Sequence, residues 1–292
     1  MSRKCDWKGK NVLISGGASG IGLAFAGLLA DKGALPLLAD RNPEALEVAL
    51  RELRGRGLEG YGFQVDVTDI SAVRDLRDRL REKGLAPDLL INCAGVTLVA
   101  HVSATELEEW NRIIGVNLMG TVNMVEAFLP DLLERGAGHI VNIGSIDGLV
   151  PMPGLSAYCA SKFAVSGLSE VLYYDLAPRG IGVTLVCPGY VNTPMARAHP
   201  VKDLPIRFRG WETVSRLLEL FSSSPERIAR RAIKGVEEGR FMVIPGLPSR
   251  LMYLYRRLFP RLAASSGVAV ARLYDRLRRM HLRRAIQACD VR

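Results

Sequence analysis

A tyrosine and a lysine four residues apart, Tyr158 and Lys162, form the pattern in this chain best suited to proton transfer. They lie at the start of a predicted helix, where this spacing places both side chains on one face. A phenol alone is a poor base at neutral pH. An ammonium about 5 Å away, at an effective dielectric constant of about 20, would stabilise the phenolate by about 3 kcal/mol. The pair therefore predicts an acid/base group that works near neutral pH.

Ser145 extends this pattern, because it follows a predicted strand thirteen residues before Tyr158. Its hydroxyl could bond the same substrate oxygen as the phenol and polarise a carbonyl there. A Tyr-x-x-x-Lys spacing alone is more often a surface pair on a helix. The serine in the same order along the chain favours the catalytic interpretation.

A glycine-rich turn, SGGASGIG at residues 15–22, follows the first predicted strand and opens a helix. Backbone N–H groups and the positive end of that helix could face a pyrophosphate, and the glycines would let it approach. The spacing is weak evidence by itself in a chain with 29 glycines. Its place in the first strand–helix unit is what indicates a dinucleotide site.

Asp40 ends the second predicted strand, where a carboxylate can accept hydrogen bonds from ribose hydroxyls, and this favours NAD over NADP. Arg41 leaves NADP as the less favoured cofactor, and a capping or solvated acid is the alternative role of Asp40. Asp66 ends the third predicted strand and could meet an adenine amino group, or serve only as a turn acid. Asn92, with small residues after it, ends the fourth.

Short apolar runs at residues 11–15, 35–40, 62–67, 89–92, 139–144, 183–187 and 241–244 alternate with helical patterns. This alternation predicts an α/β fold: a doubly wound parallel sheet of about seven strands, a Rossmann fold, with helices on both faces. In such a sheet the ligand crevice lies outside the carboxyl ends of the strands. The residues singled out above all lie at or near those ends.

In this order the motifs resemble the short-chain dehydrogenase/reductase family over roughly residues 9–195. The resemblance implies a catalytic tetrad: Tyr158 as acid/base, Lys162 binding the nicotinamide ribose, Ser145 holding the substrate oxygen and Asn117 ordering a relay water. With the residues above, it completes the predicted cofactor site: Ser15, Gly16, Ser19, Gly20, Ile21, Gly22, Asp40, Arg41, Asp66, Val67, Asn92, Ala94, Gly95, Tyr158, Lys162, Pro188, Gly189, Val191 and Thr193. Ser15 stands where the family usually has Thr, and Cys93 where it often has Asn.

The expected activity is therefore NAD-dependent interconversion of a secondary alcohol and a ketone, with a bulky lipophilic substrate of steroid, retinoid or long-chain lipid type. An NADPH-dependent carbonyl or ketoacyl reductase is the alternative enzyme, and a non-catalytic dinucleotide-binding sensor or scaffold is the alternative of another class. Family habit implies a homodimer or homotetramer. Five widely spaced cysteines without a CxxC pair predict no metal site.

The predicted organisation is a dehydrogenase domain at residues 1–246, with a substrate lid at about 195–225, and a basic amphipathic helical extension at 247–292. Within the extension, residues 270–285 carry apolar and basic residues at helical spacing and are predicted to form an amphipathic helix. Residues 240–292 hold twelve arginines and two aspartates, a formal charge of +10 in a chain of +9. One hypothesis is that residues 251–292 bind an anionic membrane surface. Packing on the protein or on a second subunit is an equal alternative. Nucleic acid is disfavoured, because no recognition motif accompanies the charge. Without an apolar N-terminal segment, the expected location is cytoplasmic, peripheral on a membrane's inner face if the hypothesis holds.

Overall fold

The computed structural model describes residues 6–195, 202 and 222–289, with side chains described as far as residue 279. Strands and helices alternate along most of the chain. The strands are β1 (Asn11–Ser15), β2 (Leu35–Asp40), β3 (Tyr61–Gln64), β4 (Leu89–Asn92), β5 (Gly138–Ile143), β6 (Ile181–Val186) and β7 (Met242–Val243). The helices are α1 (Gly20–Ala30), α2 (Pro43–Gly55), α3 (Ile70–Glu82), α4 (Leu107–Ile114), α5 (Gly120–Arg135), α6 (Ser156–Leu176), α7 (Pro225–Glu237), α8 (Leu247–Leu258) and α9 (Pro260–Cys289).

The seven strands form one sheet in the order β3-β2-β1-β4-β5-β6-β7, and every neighbouring pair is parallel. This confirms the predicted doubly wound sheet. The chain winds outward from β1 in one direction and from β4 in the other. The crevice that this reversal opens lies at the carboxyl ends of β1 and β4, where the glycine-rich turn and Asn92 were predicted to meet.

Two apolar layers, one on each face of the sheet, bury the strands. One layer packs α1, α2 and α7 on the sheet, with Phe25 and Ile228 among its buried residues. The other packs α3 and α5, with Leu76 and Phe128 fully buried. Because both faces are covered, the central strands are apolar without alternation, as parallel strands usually are.

The third strand is shorter than predicted: residues 62–67 were expected, and β3 ends at Gln64. Asp66 explains this end, because its Oδ1 accepts hydrogen bonds from the backbone N–H and the hydroxyl of Thr68. A side chain that closes a local turn in this way competes with strand pairing. The seventh strand likewise has two residues, Met242 and Val243, where residues 241–244 were predicted.

Residues Leu107–Arg135 form a helical stretch that is long and apolar enough to cross a membrane by length and composition alone. Half of its most apolar window is buried inside the protein. Met124 and Phe128 are fully buried against the sheet, so this stretch is a core helix of the domain.

Two helices, α8 and α9, follow β7 in the described part of the chain, and both contact the domain. A Cβ added at Gly189 would overlap the hydroxyl of Ser249 in α8, which shows how closely these segments pack. In α9 the ring of Tyr274 stacks on the ring of His101, with 6.4 Å between the ring centres. Arg278 donates a hydrogen bond of 3.2 Å to the hydroxyl of Ser103. Helix α9 begins at Pro260, earlier than the segment predicted from residue 270. Most of the predicted lid lies outside the described residues.

Candidate active site

The carboxyl ends of β1 and β4 are joined through the side chain of Ser15. Its Oγ accepts hydrogen bonds from the backbone N–H groups of Cys93 at 3.2 Å and Ala94 at 3.4 Å. The hydroxyl that Ser15 shares with the threonine usual in the family therefore fixes the strand end. This contact brings the glycine-rich turn against the segment that follows β4.

The glycines of the turn are required by space and by backbone conformation. Gly16 has a φ of +64°, and a Cβ there would lie 2.8 Å from the Cα of Ala94. Gly20 has a φ of +54° and faces the methyl group of Thr193, which the sequence placed in the same site. A Cβ at Gly22 would overlap the carbonyl of Gly16. Because these glycines carry no side chains, the backbone of the turn leaves room for a phosphate to approach.

The first turn of α1 is open to an anion. Ser19 is the N-cap residue of this helix, but its side chain makes no capping hydrogen bond. The first N–H groups of a helix have no partner within it, so those of Gly20 and Ile21 can bind a ligand. The residues present therefore fit the pyrophosphate of a dinucleotide.

Asp40 lies beside this turn. Its Oδ2 accepts a hydrogen bond of 3.3 Å from the N–H of Ala18, and its Oδ1 accepts one of 3.1 Å from the N–H of Asn42. The carboxylate is thus held at the end of β2, next to the phosphate turn. Arg41 is exposed. This position is the one where the sequence predicts contacts with the ribose hydroxyls of a dinucleotide.

The adenine side of the predicted site is only partly assembled. Asp66 is exposed and uses its Oδ1 to accept hydrogen bonds from Thr68, and Val67 is buried, with Gly120 of α5 packed against its side chain. The amide of Asn92 is buried and donates a hydrogen bond of 2.8 Å to Asn142 on β5. Asn92 therefore directs its side chain along the sheet, and any contact it makes with a cofactor is through its backbone.

Asn117 lies in the π-helical turn Gly115–Met119, between α4 and α5. Its Oδ1 accepts from the N–H of Val96 at 2.7 Å, and its Nδ2 donates to Val96 O at 3.0 Å and to Ser161 Oγ at 2.9 Å. The side chain thus ties the segment after β4 to α6. A Cβ at Gly95 would lie 3.4 Å from Asn117 Oδ1 and 3.7 Å from Lys162 Nζ, so these residues meet at one point.

Lys162 is buried at the end of β5. Its Nζ donates a hydrogen bond of 2.8 Å to the carbonyl of Ile143 and lies 5.9 Å from the centre of the Tyr158 ring. Burial lowers the pKa of Lys162 to about 8. The ammonium is therefore still the dominant form at neutral pH, close enough to act on the phenol.

The hydroxyl of Ser145 lies near the phenol of Tyr158 and lowers the pKa of that phenol. Burial acts in the opposite direction and is the larger effect, and the nearby Asp147 carboxylate also raises that pKa. The net pKa of Tyr158 is above its ordinary value in the protein without a bound cofactor. The lowering expected from Lys162 therefore has to overcome burial, and it stays a prediction.

Asp147 was not singled out by the sequence. It follows Ser145 by two residues, and burial raises the pKa of its carboxyl to about 6. Asp147 Oδ2 lies 3.2 Å from Ser145 Oγ. An acid in a short polar turn looks like a solvated residue, so only its burial in the fold could identify it.

The segment after β6 was predicted to line the nicotinamide. The N–H of Ile146, next to Ser145, donates a hydrogen bond of 2.7 Å to the carbonyl of Pro188. Val191 pairs with Ser223 in an isolated bridge. Pro188 therefore lies next to the turn that follows Ser145, and contact of this segment with the nicotinamide stays a prediction. Among the residues that the structure describes, no group of three or more potential metal ligands is found.

Comparison with known proteins agrees with this geometry. Residues 10–203 match the family model described as short chain dehydrogenase. A putative oxidoreductase SadH of Mycobacterium tuberculosis is 35% identical over 270 residues, which are 90% of this chain and 97% of that protein. The 3-oxoacyl-[acyl-carrier-protein] reductase FabG of Thermotoga maritima is 31% identical over 80% of this chain and 98% of its own length.

A solved short chain dehydrogenase/reductase from Burkholderia phymatum, in complex with NAD, superposes with a TM-score of 0.74. It is 32% identical, and the match covers 87% of this chain and 96% of that one. The motif order, the parallel sheet and these relatives describe an NAD(P)-dependent oxidoreductase that acts on CH–OH groups. The resemblance seen in the motifs is confirmed: the chain belongs to the short chain dehydrogenase family.

Proposed function

We propose that this enzyme interconverts a secondary alcohol and its ketone with NAD, and that Tyr158 is its acid/base. The observation that carries the proposal is the convergence of three side chains at the end of β5. The hydroxyl of Ser145 is close enough to the phenol of Tyr158 to lower its pKa, and the ammonium of Lys162 lies 5.9 Å from the centre of that ring. A donor, a proton carrier and a fixed positive charge are therefore within reach of one substrate oxygen.

A bound nicotinamide supplies the hydride acceptor for oxidation and the hydride donor for reduction. The residues of the chain bind the substrate oxygen and transfer its proton. Ser145 donates a hydrogen bond to it, and Tyr158 takes its proton in oxidation or returns the proton in reduction. Lys162 stabilises the phenolate form of Tyr158, and Asn117 holds the segment after β4 against α6. The roles of Ser145, Tyr158 and Lys162 are those predicted from the sequence, whereas for Asn117 the family resemblance implies the ordering of a relay water.

The preference for NAD is proposed from the position of Asp40 beside the glycine-rich turn. The NAD complex of the Burkholderia relative supports it, and the FabG relative keeps an NADPH-dependent carbonyl or ketoacyl reductase as the rival. Titration of the protein with each dinucleotide separates the two. We expect NAD to bind at least tenfold more tightly than NADP, and Asp40→Ala to reduce that ratio. Tighter binding of NADP would overturn the NAD proposal.

A bulky, lipophilic substrate is proposed from the segment that precedes Tyr158. Leu149, Val150, Met152 and Leu155 follow Ser145 and Asp147 without a further charged residue, and Tyr274 of α9 packs against Gly154 in the same segment. A panel of secondary alcohols graded in apolar size tests this. We expect kcat/KM to rise with size; a preference for small polar alcohols would contradict it. Dinucleotide binding without turnover on any alcohol or ketone would favour a sensor or scaffold.

We also propose that the outer face of α8 and the start of α9 contacts anionic lipid, which would make this cytoplasmic enzyme peripheral on a membrane. Five large apolar side chains on this face are each about half exposed: Leu251, Leu254, Leu258, Phe259 and Leu262. Arg256, Arg257 and Arg261 lie between them, and the sequence from 240 to 274 contains no acidic residue. An apolar face flanked only by cations matches the surface of an anionic bilayer.

A second copy of the chain is the other candidate for this face, since family habit favours a homodimer or homotetramer. A two-fold contact through the face would place each cluster of arginines near its own copy, which opposes pairing there. Co-sedimentation with vesicles containing phosphatidylserine tests the proposal. We expect the double variant Leu254→Ser/Leu258→Ser to lose binding and Val48→Ser, an exposed apolar change on α2, to keep it. Lipid contact would be refuted if the unsubstituted protein and both variants sediment equally with the vesicles, or if none of them sediments.

A further inference from the structure

The proposed mechanism leaves the partly buried Asp147 without a role. Asp147 lies in the short turn Ile146–Gly148, for which Ser145 is the N-cap residue. The Oγ of Ser145 accepts a hydrogen bond of 3.1 Å from the N–H of Asp147, and it lies 3.2 Å from Asp147 Oδ2. The hydroxyl that should hold the substrate oxygen is therefore already in contact with a carboxyl group.

The direction of that second contact depends on which group carries a proton. A serine hydroxyl has one proton to donate and two lone pairs to accept with. An ionised carboxylate only accepts, so it takes the proton of Ser145. A neutral carboxyl can donate instead, and Ser145 can accept it on its second lone pair while its own proton turns elsewhere.

We propose that Asp147 is a positioning residue whose protonation decides where the hydroxyl of Ser145 donates. With Asp147 ionised, Ser145 donates to Asp147 Oδ2. With Asp147 neutral, Ser145 donates to the phenol oxygen of Tyr158 or to the substrate oxygen. This inference rests on the function proposed above, in which Ser145 polarises the substrate.

The surroundings of Asp147 support a change of state near neutral pH. Burial raises the pKa of its carboxyl to about 6, and the bond from Ser145 lowers it by less. Helix α6 brings two titratable groups to this carboxylate, Tyr158 and Cys159, and the negative charge raises the pKa of both. The backbone of Lys162 packs on Gly148, and Cys187 lies beyond Ser145 after β6. Burial is therefore what opposes the anionic form of Asp147, and Tyr158 and Cys159 respond to its charge.

The proposal makes the reduction of a ketone dependent on the neutral form of Asp147. Polarising the carbonyl needs the proton of Ser145, so kcat/KM for reduction should fall as pH rises through the titration of Asp147. From pH 5 to pH 7.5 the neutral fraction of a group with a pKa of about 6 falls on the order of 30-fold. We expect a fall of about tenfold or more over that range.

The substitution Asp147→Asn tests this directly, because a neutral amide can donate to Ser145 at every pH. We expect its reduction profile to be flat from pH 5 to pH 7.5, and its oxidation profile to move to lower pH, because a charge that opposes the Tyr158 phenolate is gone. Asp78→Asn, on the exposed face of α3, is the matched control and should keep the profile of the unsubstituted protein. An unchanged reduction profile in Asp147→Asn would overturn the proposal.

An infrared measurement separates failure of this proposal from failure of the proposed function, because it needs no turnover. The band of a neutral carboxyl should disappear with a midpoint near pH 6 and be missing in Asp147→Asn. In Ser145→Ala the midpoint should rise, since the ionised carboxylate has lost a donor. A midpoint unaffected by Ser145→Ala would refute the link between the two side chains, whether or not the enzyme turns over. Absence of turnover with an intact band and shift would overturn only the oxidoreductase proposal.

Discussion

The charge of Lys162 can be removed with little change in shape by the substitution Lys162→Met. Its Nζ lies 5.9 Å from the centre of the Tyr158 ring, in a buried position. At that distance and an effective dielectric constant of about 20, the ammonium stabilises the phenolate by about 3 kcal/mol. This corresponds to about a hundredfold change in the fraction of phenolate at a fixed pH.

We therefore expect alcohol oxidation by Lys162→Met to be about 100-fold slower at pH 7, and its profile to lie at higher pH. The difference in oxidation rate between the two enzymes should be confined to a defined pH range. Burial lowers the pKa of Lys162 to about 8, so its charge is present below that pH and is lost as pH rises through it. The two profiles should converge above pH 8. Reduction should change less, because it uses the neutral phenol.

Initial rates of oxidation from pH 6 to pH 10, with saturating NAD, measure this effect. Because Lys162 is also predicted to hold the nicotinamide ribose, NAD affinity has to be measured separately by calorimetry. Lys83→Met, at the exposed C-terminal end of α3, is the control for loss of a lysine. A Lys162→Met enzyme with weaker NAD binding but an unshifted pH profile would show that Lys162 acts through the cofactor alone, and the electrostatic argument would be wrong.

Three further predictions follow from the same contacts. Tyr158→Phe should reduce turnover by at least about a thousandfold and leave NAD affinity nearly unchanged; normal turnover would exclude Tyr158 as the acid/base. Gly16→Ala should lower the free energy of unfolding by more than Gly57→Ala, since both have positive φ but only Gly16 meets backbone within 4 Å; equal losses in chemical denaturation would refute the steric argument. Asp147→Asn should raise the free energy of unfolding by at most about 3 kcal/mol above pH 6. Because the pKa of Asp147 is raised in the native state, ionisation of this carboxyl destabilises the protein as pH rises from about 4 to about 6. A gain in the free energy of unfolding of Asp147→Asn that persists below pH 4 would therefore contradict burial of the charge as its cause.

Local sequence was sufficient to predict the elements that carry the cofactor turn. It was insufficient to predict the groups that surround the tetrad. The strand predicted at residues 35–40 and its terminal Asp40 were confirmed, because apolar runs bounded by turns form buried parallel strands. Asp147 was missed, because its burial comes from the packing of α6 and the segment after β6 on one short turn. No spacing rule reports that kind of contact.

The sequence contains a signal for the start of α9, but the low helix propensity of the residues after it outweighed that signal in the prediction. Pro260 is well suited to the first position of a helix, yet Ser265, Ser266 and Gly267 follow it and have low helix propensity. The prediction therefore began ten residues later, where apolar and basic residues recur at helical spacing. In the structure α8 and α9 contact each other, and Tyr255 and Ser266 share a hydrogen bond of 2.9 Å between their hydroxyls. Tertiary contact thus overcomes the weak local preference.

The extension bears on the proposed activity because two of its contacts with the domain lie before and after the proposed catalytic residues Tyr158 and Lys162 in the sequence. Ser249 of α8 packs against Gly189, in the segment that follows β6, and Tyr274 of α9 packs against Gly154, four residues before Tyr158. Ser249 is buried, whereas Leu251 and Leu254 on the same helix are about half exposed. One short helix therefore carries both a domain-facing side and an apolar outer side. If the outer side binds lipid as proposed, the segment predicted to line the nicotinamide lies one helix diameter, about 10 Å, from the bilayer surface, where a lipophilic alcohol would be concentrated.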